Sequence, residues 1–192
     1  MEDDADKDKR LEIIMTAMIA ILSISTAGTA YFSHMENSSS THDYFTSQSI
    51  LVDANSLYLE ANQAIIYDFT MYDGYYLANA TGDTNTSDYY YFSMSDALKD
   101  SLERDTGPFD EQYYDEMYEN AESVYEDGTL LAFDAAEQNT ASDEYQLAVL
   151  ISAVGLSLTG WAALMKTKRL KVTFLTCSIF CLIMTSIQTL SV

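Results

Sequence analysis

The sequence predicts an all-α membrane protein: three transmembrane helices, with an extracytoplasmic antiparallel helical hairpin or small bundle inserted between the first and the second. Three observations predict it. Residues 13–32, 147–165 and 172–190 are apolar runs without Asp, Glu, Lys, Arg or His, and roughly 20 such residues at 1.5 Å rise cross the hydrocarbon of a bilayer. Between the last two runs stands a tight basic turn containing Lys166, Lys168, Arg169 and Lys171, in a chain with only 9 Lys and Arg against 30 Asp and Glu. The segment between the first two runs has a single proline, Pro108, and apolar residues at helical spacing.

These signals divide the chain into a cytoplasmic tail (1–12), a first span (13–32), an acidic, Tyr-rich domain (33–145), a second span (146–165), the basic cytoplasmic turn (166–171) and a third span (172–190). Short basic loops stay in the cytoplasm. The turn is therefore inside, and Lys7, Lys9 and Arg10 put the amino terminus there too, although Asp3, Asp4, Asp6 and Asp8 dilute that second signal. Both clusters place residues 33–145 and the carboxyl terminus outside a cell membrane. The sequence Ala27-Gly28-Thr29-Ala30 resembles a signal-peptidase site, but the run before it is longer than a secretory h-region and reads as an uncleaved anchor.

Outside the first span, residues 41–77 read as one long helix. Leu51, Tyr58, Ile65 and Tyr72 recur every seven residues, with Ala54, Ala61 and Tyr75 near the intervening positions. Asp68 interrupts the second series, and Phe69 is expected to replace it. Asn37 to Thr41 reads either as the cap of a new helix or as a weak link in a continuous one. The polar stretch 79–88 reads as a loop, followed by a helix from Ser87 or Asp88 to about Arg104 that Thr106, Gly107 and Pro108 end. Residues 110–127 are amphipathic, with Tyr114, Tyr118, Ala121 and Tyr125 on one side and Glu111, Asp115, Glu119, Glu122 and Glu126 on the other. Gly128 reads as a C-cap or hinge before a last helix leading into the second span. The outward and returning arms have similar lengths, hence the expected hairpin.

Charge and cysteine narrow the function. Residues 33–145 carry 24 acids and two bases, Lys99 and Arg104, and so about −22 of the chain's net −21. Such a surface repels nucleic acid and anionic lipid headgroups and attracts cations diffusely, which suits the exterior of an archaeal or bacterial cell. The only cysteines, Cys177 and Cys181, lie in the last span, so no disulfide braces the outer domain.

Candidate sites are few. Fourteen of the 15 tyrosines fall in residues 33–145, and the triplet Tyr89, Tyr90 and Tyr91 reads either as a contact surface or as core. Thr173, Cys177, Cys181, Thr185 and Thr189 recur every four residues in the third span, as do Gly155, Thr159 and Ala163 in the second, a small-residue pattern that lets helices approach closely. Asn37, Asn79 and Asn85 head glycosylation sequons. Asp83, Asn85, Ser87 and Tyr89 begin like a calcium loop, but Asp88 stands where Gly is needed and Met94 where the bidentate Glu belongs. His34 and His42 have no companion ligands in sequence and read as exposed polar residues. No metal, cofactor or catalytic constellation is expected, and no charged residue lies within a span to mark an ion path.

The stretches Asp43-Tyr44-Phe45-Thr46-Ser47-Gln48-Ser49 and Asp143-Glu144-Tyr145-Gln146-Leu147-Ala148, in this order of parts, resemble a family of small three-span prokaryotic membrane proteins without an established activity. That resemblance implies the same topology and no mechanism. The expectation from the residues is a membrane-anchored structural or interaction subunit whose partners are the bilayer and other envelope proteins, itself included. The alternative is an extracytoplasmic sensor input module that works through a partner protein.

Overall fold

A computed structural model describes the backbone of residues 2–192 and the side chains from residue 9 onward. The side chains of Lys7, Asp3, Asp4, Asp6 and Asp8, part of the charge cluster read as orienting the first span, lie outside the described residues. The chain is all-helical: α1 (Glu2–Thr81), α2 (Thr84–Ser93), α3 (Asp96–Leu102), α4 (Glu111–Leu164) and α5 (Lys168–Ser191), with no strand among the described residues. Helices α1, α4 and α5 each hold a stretch long and apolar enough to cross a membrane. Contacts divide the chain into two compact units, Met1–Asp43 with Asp134–Val192, and Tyr44–Phe133.

The unit of Met1–Asp43 and Asp134–Val192 packs around Met15, Met18, Leu22, Ala162 and Leu175. Its helices approach closely at small residues. A Cβ added at Gly155 would stand 2.9 Å from Cys181 Cβ and 3.3 Å from a Leu22 methyl. Hydroxyls then reach backbone across the contacts. Ser178 donates to the Gly155 carbonyl at 2.8 Å, Ser33 and Ser142 donate to each other's carbonyls at 3.2 and 3.0 Å, and Ser40 donates to the Ala135 carbonyl at 2.6 Å.

The same device appears in the other unit, where Ser47 donates to the Gly128 carbonyl at 2.7 Å. Along α1, Ser33, Ser40, Ser47, Ala54, Ala61 and Asp68 are all buried at seven-residue intervals, and on α4 so are Ala121, Gly128, Ala135 and Ser142. Within the second unit, Tyr58 meets Tyr125 and Tyr118, Asn62 meets Tyr118, and Asp68 meets Tyr113, so partners on α4 run backwards as α1 runs forwards. Helices α2 and α3 cover the end of this pair, where Met94 and Leu98 join Ile65, Met71 and Tyr113 in a second core.

Several expectations change. Asn37 to Thr41 does not cap a new helix but lies inside the continuous α1, where the Thr41 hydroxyl donates back to the Asn37 carbonyl and Ser40 donates across to α4. Gly128 is neither C-cap nor hinge but lies inside α4, where a Cβ would come 3.0 Å from Leu51 and 3.1 Å from Ile50. The loop at 79–88 shrinks to Gly82 and Asp83, with Gly82 at φ +75°. Asp83, not Ser87 or Asp88, caps α2. The single helix expected up to Arg104 breaks at Met94 and Ser95, because Ser95 is the N-cap of α3 and its hydroxyl accepts from Leu98 N–H. The basic turn is also shorter in backbone terms, since Lys168, Arg169 and Lys171 already belong to α5.

Replacing Gly128 by leucine should destabilise the protein by about 1–3 kcal/mol through overpacking against Leu51 and Ile50. Chemical unfolding followed by circular dichroism in detergent measures this, and an unchanged midpoint would refute the close approach.

Candidate functional site

The most organised polar cluster in the Tyr44–Phe133 unit centres on Asp68, which is 1% exposed. Its Oδ1 accepts the Ser95 N–H at 2.8 Å, and its Oδ2 accepts the Ser95 hydroxyl and the Tyr113 hydroxyl, the latter at 2.9 Å. Each donor is placed by a helix start. Ser95 caps α3, and Asp110 holds the first turn of α4 by accepting Tyr113 N–H at 2.9 Å. One carboxylate thus ties α1, α3 and α4 together.

Aromatic rings close the cluster. Phe109, at φ 61° after Gly107 at φ 90°, stacks on Phe69 with centroids 4.1 Å apart and meets Tyr113 and Tyr72 edge-on. The turn before α4 therefore does more than end a helix; it inserts a ring. Burial, followed by the hydrogen bond to Asp68, pushes the Tyr113 phenol far above its ordinary pKa. Asp68 therefore keeps the place in the seven-residue series that Phe69 was expected to take. A buried carboxylate with three donors meets the requirement for a satisfied buried polar group, and Phe69 packs to one side. The bonds are all to uncharged donors, and the arrangement serves to tie helices.

Several other polar groups are likewise engaged. Arg104 grips Asp110 through Nε at 2.7 Å and Nη2 at 2.8 Å, and it lies 3.8 Å from Glu116. The hydrogen bond from Arg104, then that from Thr106, holds the Asp110 carboxyl well below the usual carboxylate range. Lys99 pairs with Asp96 at 3.1 Å. Asp83, first in the calcium-like spacing, instead accepts the Thr86 N–H and hydroxyl, which lowers its pKa, and Ser87 donates to Asn79. Asp115, Glu116, Glu119, Glu122 and Glu126 form an open acidic face on α4 with Gln112 and Ser123.

The candidate interface residues separate. Tyr89 is 65% exposed, whereas Tyr90 packs against Gly74, where a Cβ would come within 2.5 Å of its ring, and Tyr91 meets Tyr75. The triplet is thus part surface and part core. In α5, Thr173 and Cys177 are exposed, Cys181 is half-buried against Gly155, and Thr185 is buried; the buried row is Leu175, Ser178 and Thr185. In α4, Gly155 and Thr159 are buried, but Ala162 takes the place expected for Ala163. A strict spacing of four drifts around a helix of 3.6 residues per turn, so the packed rows alternate steps of three and four. Asn37, Asn79 and Asn85 are all exposed, each within a helix. His34 and His42 are exposed too; His34 borders a shallow groove of about 600 Å³ with Asn37 and Gln146.

Sequence reading missed the serine contacts at Ser33, Ser40 and Ser47, whose signal was the seven-residue spacing of small residues through Ala54 and Ala61. Compared with known families, curated proteins and solved structures, the chain matches none of them.

Replacing Asp68 by alanine leaves two hydroxyls and an N–H without their acceptor, and should cost at least about 2 kcal/mol, against about 1 kcal/mol for Tyr113→Phe. Urea unfolding of the full chain checks the order, and equal costs would deny Asp68 its central place. Because the Asp110 pKa is lowered on folding, its contribution is complete above the ordinary carboxylate value near ~4 and is lost as pH falls through the lowered one. The stability advantage of the wild type over Asp110→Asn should therefore be constant at neutral pH and shrink below about pH 4. An advantage that grows with acid would contradict the sign.

Proposed function

We propose that the protein is a membrane-anchored structural or interaction subunit that presents an acidic helical domain outside the cell membrane within a homo- or hetero-oligomeric complex. In this reading α1, α4 and α5 supply the three spans, the charge clusters keep the amino terminus and the basic turn inside, and α1 and α4 form an antiparallel helical hairpin outside. The acidic face of α4 holds cations diffusely and keeps anionic surfaces away. No catalytic step is assigned to it.

One observation carries the reading. The Tyr44–Phe133 unit exposes large apolar side chains although its residues fall outside the three apolar runs of the sequence: Tyr76 at 64%, Leu77 at 65%, Tyr89 at 65% and Phe92 at 76%, besides others along α1. Large apolar side chains left exposed in number are the material of macromolecular contacts, and tyrosine suits such contacts because its ring is large and rigid with one polar tip.

The test is the mass of the intact assembly extracted from native membranes in mild detergent, with every co-purifying chain identified. A defined homo- or hetero-oligomer is the expected result. A lone monomer without partners would overturn the subunit reading in favour of a sensor input module, for which a ligand-dependent thermal shift of the full chain would be the sign.

A further inference from the structure

Within the Tyr44–Phe133 unit, α1 has two faces of opposite character. One is the buried row Ser47, Ala54, Ala61 and Asp68. Five residues beyond Ser47, Ala54 and Ala61, about 150° around a helix with a seven-residue repeat, come Val52, Leu59 and Ile66, and Phe45 opens the same column. Their exposures are 68% for Phe45, 63% for Val52, 64% for Leu59 and 65% for Ile66. The flanking columns are Gln48, Asn55, Asn62 and Phe69 on one side and Ser49, Ser56, Gln63 and Thr70 on the other. Between residues 45 and 70 no ionisable residue occurs in these three columns, in a segment with 24 acids, and Asp73, the next position of the central column, ends the uncharged stretch. Asp53 and Glu60 fall just outside, at the rim.

We propose that a second copy of this chain docks on the Phe45, Val52, Leu59 and Ile66 column, forming a parallel two-fold pair outside the membrane. The inference rests on the subunit reading and names its first partner. Charge selects the occupant. Two copies of so acidic a chain can approach only where neither presents carboxylates, and this column is such a face; a basic partner would instead be drawn to Asp115, Glu119, Glu122 and Glu126 on α4. Geometry agrees with charge. Both copies are anchored through the same span in the same membrane, so their α1 helices run parallel. An apolar column at seven-residue intervals is then self-complementary across a two-fold axis, with each residue facing its own counterpart. Confinement to one membrane raises the effective concentration, so a narrow column is enough.

The experiment is disulfide trapping in native membranes, using the full chain with Cys177→Ser and Cys181→Ser and one new thiol at a time. Val52→Cys and Leu59→Cys should give a product of twice the chain mass on oxidation, at least tenfold more than Glu119→Cys on the acidic face. Adding Val52→Asp and Leu59→Asp should abolish trapping through Ile66→Cys while leaving the thermal unfolding curve unchanged, because both side chains are exposed. No product at any column position, or equal trapping at Glu119→Cys, overturns the pairing. If a larger native assembly survives that result, the subunit reading stands without this interface; if the chain is also monomeric with no companion, both fall. A column cross-link to a different protein overturns the second copy as occupant.

Discussion

The closeness with which helix backbones approach one another is the constraint on which most of the structure depends. A serine hydroxyl can donate to a carbonyl on a neighbouring helix only when little side-chain volume separates the two. That condition is met at Ser33 with Ser142 and Ser40 with Ala135 in one unit, and at Ser47 with Gly128 in the other. Small residues every seven positions produce it, and each hydroxyl is satisfied by the approach it permits. This explains why so much serine can be buried: a hydroxyl bonded to backbone carries little of the penalty that an unpaired polar group would incur.

Asp68 stands at the end of the same row on α1, where the demand changes. Here three helices meet, and two of them begin at the contact, so their starts bring donors that need an acceptor. A carboxylate supplies it to the Ser95 N–H, the Ser95 hydroxyl and the Tyr113 hydroxyl at once. Phe109, Phe69 and Tyr72 then exclude water around it. The Tyr44–Phe133 unit thus has a polar tie inside a ring of aromatics, and this stands in for the disulfides that it lacks.

Acidity shapes what remains at the surface. Arg104 and Lys99, the two bases of residues 33–145, are engaged with carboxylates, so the surplus negative charge is left on the α4 face and at scattered positions. Against that background an uncharged apolar column on α1 is conspicuous, because solvent alone gives no reason for it. In the proposed pairing, electrostatic exclusion across most of the domain and apolar attraction on one face are complementary: the first would restrict where a second copy can sit, and the second would hold it there.

Helix content and the three stretches long and apolar enough to cross a membrane were legible in the residues alone, because both follow from local quantities: run length, the scarcity of proline, and the spacing of apolar residues. The sequence also placed Ala54 and Ala61 in a packed row and found the turn at Thr106 to Pro108. It took the packed helices to show that Gly128 lies within a helix, that Asp68 is buried, that Ser95 divides α2 from α3, and that Ala162 rather than Ala163 is buried. Each of these depends on a partner far along the chain. Glycine reads as a break until Leu51 is seen against it, and an aspartate reads as surface until three donors converge on it. Hydrogen bonding across helices is not local, and it reversed the reading at those positions.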